Sequence, residues 1–312
     1  MKTFFRIFNN KLHSIDVDDI GFPSTDPSYI PDEYLEKKEF MVMRTCHGIG
    51  DWVLLSGMPR LLKQKYPDCK VYVPSSVMLR SVFGDMLNNW GYGTFDASKV
   101  PEMVFESNPY VDGFVDSHDM EIFHDHYKIF DENKDEIPLV EQMLDFWQFI
   151  PDESNDSSPD FYPTDKEQDW FFKFNEFDKY GYLLASSSVD NGDPVENLLG
   201  VIDEYKNSID NWYYYGESEF ENSVYAGLGL ENVIELKSMG LSVRQQQCLK
   251  SNAVVNFGNE TGMSLWTAKY SKSYVLAHTT YTSIHGEKLV GKKRERPFKS
   301  GNFVRGVEYI WK

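Results

Sequence analysis

Two short glycine-containing stretches carry the residues best suited to chemistry. The first, His47-Gly48-Ile49-Gly50-Asp51-Trp52, sets one carboxylate directly after residues without bulk. Asp51 opens a run in which Val53, Leu54, Leu55, Met58, Leu61 and Leu62 recur at helical spacing, so it stands in the first turn of a helix predicted over 51–65. A sugar or another hydroxyl compound can approach such a carboxylate, which makes Asp51 a candidate general base. The plainer alternative is a helix cap that accepts a backbone N–H and stabilises by about 1 kcal/mol. The second stretch, Gly258-Asn259-Glu260-Thr261-Gly262-Met263, also lies between a predicted strand and a predicted helix. Its glycines let a ligand approach the backbone, and free N–H groups at a helix start hold an anion such as a diphosphate. Glu260 fits that picture only if it points away or accepts from ligand hydroxyls.

The first loop is not a dinucleotide site of the dehydrogenase kind. Val53 stands where a third glycine is needed for close packing, and the second strand ends in Val73-Pro74-Ser75-Ser76 with no acid to hold ribose hydroxyls. Asp51 would also set a carboxylate against the pyrophosphate. Other chemistry-bearing groups read more plainly. His118, His124 and His126 fall within nine residues, and His124 and His126 would share a face of a strand but not of a helix, so a solvated segment is preferred to a metal site. Asp16-Val17-Asp18 has the DxD spelling of metal-dependent transferases but precedes the first strand of the fold. Trp212-Tyr213-Tyr214-Tyr215 reads as a core strand of aromatic residues before it reads as a stacking platform. Cys46 reads as a buried strand-end residue, because no pairing pattern activates it.

The elements that position these loops alternate along the chain. A short apolar run at 39–46, the helix at 51–65 and a strand at 69–73 make a βαβ unit. A strand is predicted at 111–115 and a helix at 137–149, before a stretch at 152–169 dense in Asp, Ser and Pro. Alternation then resumes, with strands at 182–186, 211–215, 232–236, 253–257 and 273–277 and helices at 195–206, 242–250 and 263–270. The expected organisation is an N-terminal arm (1–38), a first βα domain (39–160), a linker (161–178), a second βα domain (179–285) and a basic segment (286–312). Two such domains predict an α/β protein, doubly wound, with a cleft between two sets of strand ends.

At 312 residues the chain has room for two domains, and 41% hydrophobic and 15% aromatic residues exclude a disordered polymer. Lys and Arg number 31 against 49 Asp and Glu, a net charge of -18 that repels nucleic acid and anionic lipid. The segment 286–312 departs from this balance, with eight basic and three acidic residues, and reads as a solvated surface or a local phosphate site. Cys46, Cys69 and Cys248 show no CxxC spacing and leave one cysteine over in any disulfide scheme, which predicts a reducing compartment. No stretch approaches the roughly 18 apolar residues of a membrane span, and Met1 to Asn10 lacks a secretory cleavage pattern. A soluble, cytoplasmic protein is expected.

Taken in order, these motifs resemble the heptosyltransferase-like glycosyltransferases (family 9). Gly48-Ile49-Gly50-Asp51 with Leu54, Pro59, Leu62 and Tyr66-Pro67 is similar to the family's opening "GD…P…L…YP". Asn108-Pro109-Tyr110-Val111-Asp112 looks like its "NP-x-VD", and Asn259-Glu260-Thr261-Gly262-Met263-Ser264 resembles its "D-[ST]-G-[LP]-[SM]-H" loop. The similarity spans roughly residues 39 to 120 and 180 to 280. It implies a GT-B architecture, two Rossmann-like doubly wound domains facing a central cleft. It also implies inverting transfer from a nucleotide-diphosphate sugar donor to a glycan or glycolipid acceptor, with no metal and no bound cofactor, because backbone amides and the helix dipole take the place of a cation. Asp51 falls on the family's base, with His47, Gly48, Ile49 and Gly50 as the acceptor-side loop. Glu260, Thr261, Gly262 and Met263 fall on the diphosphate loop, and Met239 near the segment against the nucleotide base. Ser186, Ser187 and Gly216 complete the donor-binding set. The chain departs from the family in three places: Glu260 replaces an Asp, Leu265 replaces a His, and 186–190 holds no basic residue. Arg244 or the basic tail is the expected substitute for that missing charge. Two rival readings are a catalytically silent sugar- or nucleotide-binding scaffold, and an unrelated two-domain enzyme such as an epimerase or phosphorylase.

Overall fold

The computed structural model describes residues 3–8, 11–16, 38–42, 49–83, 96–116, 123–125, 158–185, 196–216, 229–259, 262–276 and 307–310. The chain divides into two compact units, Met1–Tyr162 and Pro163–Lys312.

In the first unit, β1 (Thr3–Phe8) and β2 (Lys11–Asp16) form an antiparallel hairpin, which places regular structure inside the segment expected as an arm. A parallel sheet follows, built from β3 (Glu39–Met41), β4 (Lys70–Pro74) and β5 (Gly113–Val115), with β4 in the middle. β6 (Phe123–Asp125) pairs with β1, so His124 stands opposite Phe5 in the hairpin sheet. His118 and His126 lie outside the described residues, as do the helix expected at 137–149 and Cys46.

The helix expected at 51–65 is two helices, α1 (Ile49–Leu54) and α2 (Met58–Lys65). Pro59 explains the break, since it has no N–H to donate and its ring clashes with the carbonyl four residues earlier. The turn between them is tightly held. Ser56 Oγ donates to the Val53 carbonyl at 2.7 Å and accepts from the Asp160 amide at 2.8 Å, and Asn108 Nδ2 donates to the Ser56 carbonyl at 3.2 Å. Gly57 is required there, because a Cβ would lie 2.6 Å from the Ser158 carbonyl oxygen. Arg60 Nε donates to Asp160 Oδ2 at 2.9 Å, an ion pair whose carboxylate is wholly buried. Trp52 anchors α1 by meeting Phe105 of α4 (Val100–Phe105) edge-on at 6.4 Å. A further helix, α3 (Ser76–Phe83), leaves the end of β4.

The second unit begins where a linker was expected. Residues 161–178 contain α5 (Asp165–Phe174), whose start is closed by a reciprocal capping box between Thr164 and Glu167. Trp170, Phe171, Phe174 and Phe177 pack on the sheet core, so this segment belongs to the unit. The sheet comprises β7 (Tyr180–Ala185), β8 (Asn211–Gly216), β9 (Val233–Glu235), β10 (Val255–Asn259), β11 (Lys272–Leu276) and β12 (Val307–Ile310). Their order is β12-β11-β10-β7-β8-β9, and every pairing is parallel. Numbered within the unit this is 6-5-4-1-2-3, the Rossmann order. β12 shows that part of the basic tail closes an edge of the sheet.

Helices α6 (Glu196–Tyr205), α7 (Val243–Asn252) and α8 (Gly262–Leu265) connect the strands. The last is one turn long rather than the eight residues expected over 263–270. Both sheet faces are buried. Trp212 and Tyr214 of β8 enter one core cluster, while Tyr213 enters the other, confirming the aromatic run as core. Gly181, opposite Trp212 in register, makes room for the indole, since a Cβ there would sit 2.3 Å from the ring.

The NP-x-VD motif acts structurally in the first unit. Asp112 accepts from the Val71 amide at 2.7 Å, from Lys63 Nζ at 2.6 Å and from Lys70 Nζ at 3.1 Å. Burial pushes its carboxyl up, but these hydrogen bonds outweigh burial and bring it down to about 2 from an ordinary 3.8. A depressed carboxylate stabilises the fold above its unfolded value, and that contribution is lost as pH falls through the folded value. The first unit is therefore expected to lose stability between about pH 4 and pH 2. In Asp112→Asn, chemical denaturation across that range should show lower stability at neutral pH and a flatter acid limb.

Candidate functional site

In an open parallel sheet, ligands bind outside the carboxyl ends of the strands where the strand order reverses. In the second unit that point lies between β7 and β10. The register brings three strand ends to one edge there: Ala185 pairs with Gly216, and Leu184 with both Tyr215 and Gly258. The expected donor-binding segments leave from these ends. Ser186 and Ser187 follow Ala185, Gly216 is the last residue of β8, and the 260–263 loop follows β10. Ser186, Ser187, Glu260 and Thr261 themselves lie outside the described residues.

Gly258 is the tightest point of this edge. A Cβ there would meet Ser264 Oγ at 2.6 Å and the Leu184 Cβ at 3.3 Å, so α8 can lie against β10 and β7 only over a glycine. Gly262 and Met263 form the start of α8 and are half-buried. The Met263 carbonyl accepts from Gln247 Nε2 at 3.3 Å and from Lys250 Nζ, both on α7. Gln247 Nε2 also lies 3.4 Å from the Met263 sulfur.

Beside the edge is an open hollow of about 450 Å³, lined by Tyr214, Gly216, Glu235, Lys237 and Ser238. Lys237 and Ser238 of that lining belong to a 3₁₀ turn, Lys237–Met239, whose last residue, Met239, is 47% exposed. Of the expected donor-binding residues, Gly216 lines this concavity and Met239 follows Ser238 of its lining in the chain. The Glu235 carboxylate accepts from the amides of Lys237 at 2.5 Å and Ser238 at 3.1 Å. Burial pushes that carboxyl up, yet the bonds from Ser238 and Lys237 outweigh it and hold it below its ordinary range.

In the first unit, Ile49 and Gly50 are half-buried residues of α1. Asp51 lies in the same helix, and its side chain, with His47 and Gly48, falls outside the described residues. Trp52, Val53 and Leu54 after it are buried, so α1 is fixed at the place the sequence assigns to the base.

Arg244, expected as a substitute for the missing basic residue, is committed elsewhere. It is 4% exposed, and its Nε and Nη2 donate to Glu167 at 2.7 and 2.9 Å, joining α7 to α5. Burial pushes the Glu167 carboxyl up, but the bonds from Arg244 and Thr164 bring it below the ordinary value. Lys250, Gln247 and Glu235 were missed by the sequence reading. A lysine in the last turn of a predicted helix reads as a surface residue, and only the burial of α7 shows otherwise. Among the described residues no three His, Cys, Asp or Glu side chains cluster as metal ligands, and no helix is long and apolar enough to cross a membrane.

Compared as a sequence, the chain matches no family model and no curated protein. Among solved structures it is similar to a glycosyl transferase of family 9 from Veillonella parvula DSM 2008, at 9% identity and a TM-score of 0.48, over 88% of this chain and 86% of that one. It is also similar to ADP-heptose LPS heptosyltransferase II of E. coli, at 12% identity and 0.48, over 87% and 89%. A third is E. coli heptosyltransferase WaaC in its structure with ADP, at 14% identity and 0.48, over 88% and 93%.

The close approach at Gly258 sets a stability test. Gly258→Ala is expected to displace α8 and cost about 1–3 kcal/mol in denaturant unfolding, as overpacking does. Adding Ser264→Ala, which removes the atom met at 2.6 Å, should recover most of that loss.

Proposed function

We propose that this protein is a glycosyltransferase that moves a sugar from a nucleotide-diphosphate donor to an acceptor hydroxyl with inversion. One observation carries the reading. The strand ends that precede the expected donor-binding segments meet in register at the switch point of a six-stranded Rossmann sheet, beside a hollow lined by Gly216 and by Ser238, the chain neighbour of Met239. The motif resemblance supplies the chemistry, and the absence of a dehydrogenase fingerprint argues against a nicotinamide cofactor.

In this reading the second unit holds the donor. Backbone amides of the 260–263 loop take the diphosphate and stand in for a metal ion, while the hollow takes the nucleoside. Asp51 removes the proton from the acceptor hydroxyl as that oxygen bonds to the anomeric carbon. The bond from that carbon to the diphosphate oxygen breaks, and the nucleoside diphosphate leaves with its electron pair. The acceptor is a glycan or glycolipid. The free, buried thiols of Cys69 and Cys248 support a reducing, cytoplasmic setting.

A second reading, a catalytically silent binder of nucleotide sugars, is favoured by one finding: the Arg244 guanidinium already pairs with Glu167 and does not supply the charge missing from 186–190. Thermal shift and turnover with a panel of nucleotide sugars separate the two. The transferase reading expects a raised melting temperature with at least one donor, worth about 2.7 kcal/mol at one hundred times Kd. In Asp51→Asn that shift should persist while turnover falls by about 10²–10⁴-fold. Unchanged turnover in the variant removes Asp51 from its role. A donor that binds without turnover selects the silent scaffold, and no shift with any donor ends both readings.

A further inference from the structure

Lys250 is a charged residue in the wrong kind of place for a structural lysine. It is 1% exposed, and its Nζ donates to the carbonyl of Met263, beside the ring of Tyr182 at 5.7 Å. An ammonium carries three N–H donors and one full charge, and a single carbonyl satisfies neither. No carboxylate accepts from it among the described residues. The ionisable groups on the elements around it do not supply an anion either. On β7, Tyr180 and Tyr182 are pushed upward by burial and stay neutral. On its own helix the Cys248 thiol is pushed up to about 12 by burial, and Arg244 is paired with Glu167 of α5. The described parts of β10 and α8 contain no ionisable residue. Burial alone pushes Lys250 down to about 7 from 10.5.

A buried cation lacking a counter-charge is costly, and charge–charge attraction across the protein interior is strong. The carbonyl that Lys250 holds belongs to the residue after Gly262, at the strand-end edge where the donor is proposed to bind. Gln247 grips the same carbonyl from one turn earlier on α7. We propose that Lys250 is a positioning residue for the donor site, fixing the start of α8 through the Met263 carbonyl and supplying from there the positive charge that balances the bound diphosphate. This inference rests on the donor-binding reading above. It makes donor binding and lysine protonation mutually reinforcing: the anion draws a proton onto Lys250, and the protonated lysine strengthens anion binding.

Titration calorimetry in buffers of different ionisation enthalpy tests it, with ADP-glucose, UDP-glucose and GDP-mannose as probes. Their diphosphates are fully ionised near neutrality, so any proton taken up belongs to the protein. Wild type is expected to take up a fraction of a proton between about pH 7 and 8.5, and to bind the donor about tenfold more weakly at the alkaline end for each unit by which the ligand lifts the lysine. Lys250→Met should bind more weakly with no uptake. Lys250→Arg, which keeps the charge and cannot release a proton, should bind without uptake and with affinity independent of pH across that range. The uncharged nucleosides adenosine, uridine and guanosine should show no uptake with wild type. Donor binding without proton uptake by wild type, or equal uptake in Lys250→Met, overturns the role of Lys250 and leaves the donor site standing. Failure of all three donors to bind wild type overturns the site and this inference with it.

Discussion

The six strands of the second unit all run in one direction, and most of what the unit does follows from that constraint. A parallel sheet needs both faces covered, because its connections return across them. β8 meets the requirement with alternating aromatic side chains, Trp212 and Tyr214 to one core and Tyr213 to the other. β7 meets it with a glycine, Gly181, where the indole crosses. The same parallel order sends the carboxyl ends of all six strands to a single edge. The order reverses between β7 and β10, and in open sheets of this kind such a reversal is where a crevice forms at that edge. Chain segments far apart in sequence meet there only because the register sets Leu184 beside Gly258 and Ala185 beside Gly216.

Buried charges bind the helices in both units, and they work by exclusion as much as by attraction. Arg60 and Asp160 lock the turn between α1 and α2, and Arg244 and Glu167 tie α7 to α5. Loss of one partner from such a pair strands the other in a medium that cannot solvate it. Lys250 is the exception, because its hydrogen-bond partner among the described residues is a carbonyl and not a carboxylate. The buried surface of α7 includes Arg244, Gln246, Gln247 and Lys250, and a helix buried through polar side chains must find each of them an acceptor or donor. Gln246 accepts from Tyr182, Arg244 donates to Glu167, and Gln247 and Lys250 converge on Met263. The helix therefore transmits the packing of the sheet directly to the first turn of α8.

Local pattern was enough to read the alternation of strands and helices. The β8 run Trp212 to Tyr215 and the capped start of α7 at Ser242 are visible because neighbouring residues alone decide them. The single helix expected across 51–65 was a misreading of local pattern, since Pro59 was present in the sequence and its steric effect breaks the helix. The linker expected at 161–178 failed differently. The Asp, Ser and Pro density at 152–169 marks a surface start, but Trp170, Phe171, Phe174 and Phe177 can pack on a core only when a sheet is present to receive them. The hairpin within 1–38 likewise gained a third strand from Phe123–Asp125, a pairing across more than one hundred residues that no local window contains.

The candidate site divides along the same line. Its glycines and Asp51 were legible because glycine next to a strand end and an acid at a helix start carry their meaning locally. The sequence by itself thus determined an α/β chain, two glycine loops, and a charge balance unsuited to polyanions. Only the tertiary structure decided that Asp112 ties α2 to β4, that Arg244 pairs with Glu167, and that Lys250 lies buried against the Met263 carbonyl. The physical reason is that a charged side chain has no fixed role of its own. Its energy is set by the groups that surround it after folding, and those come from distant parts of the chain.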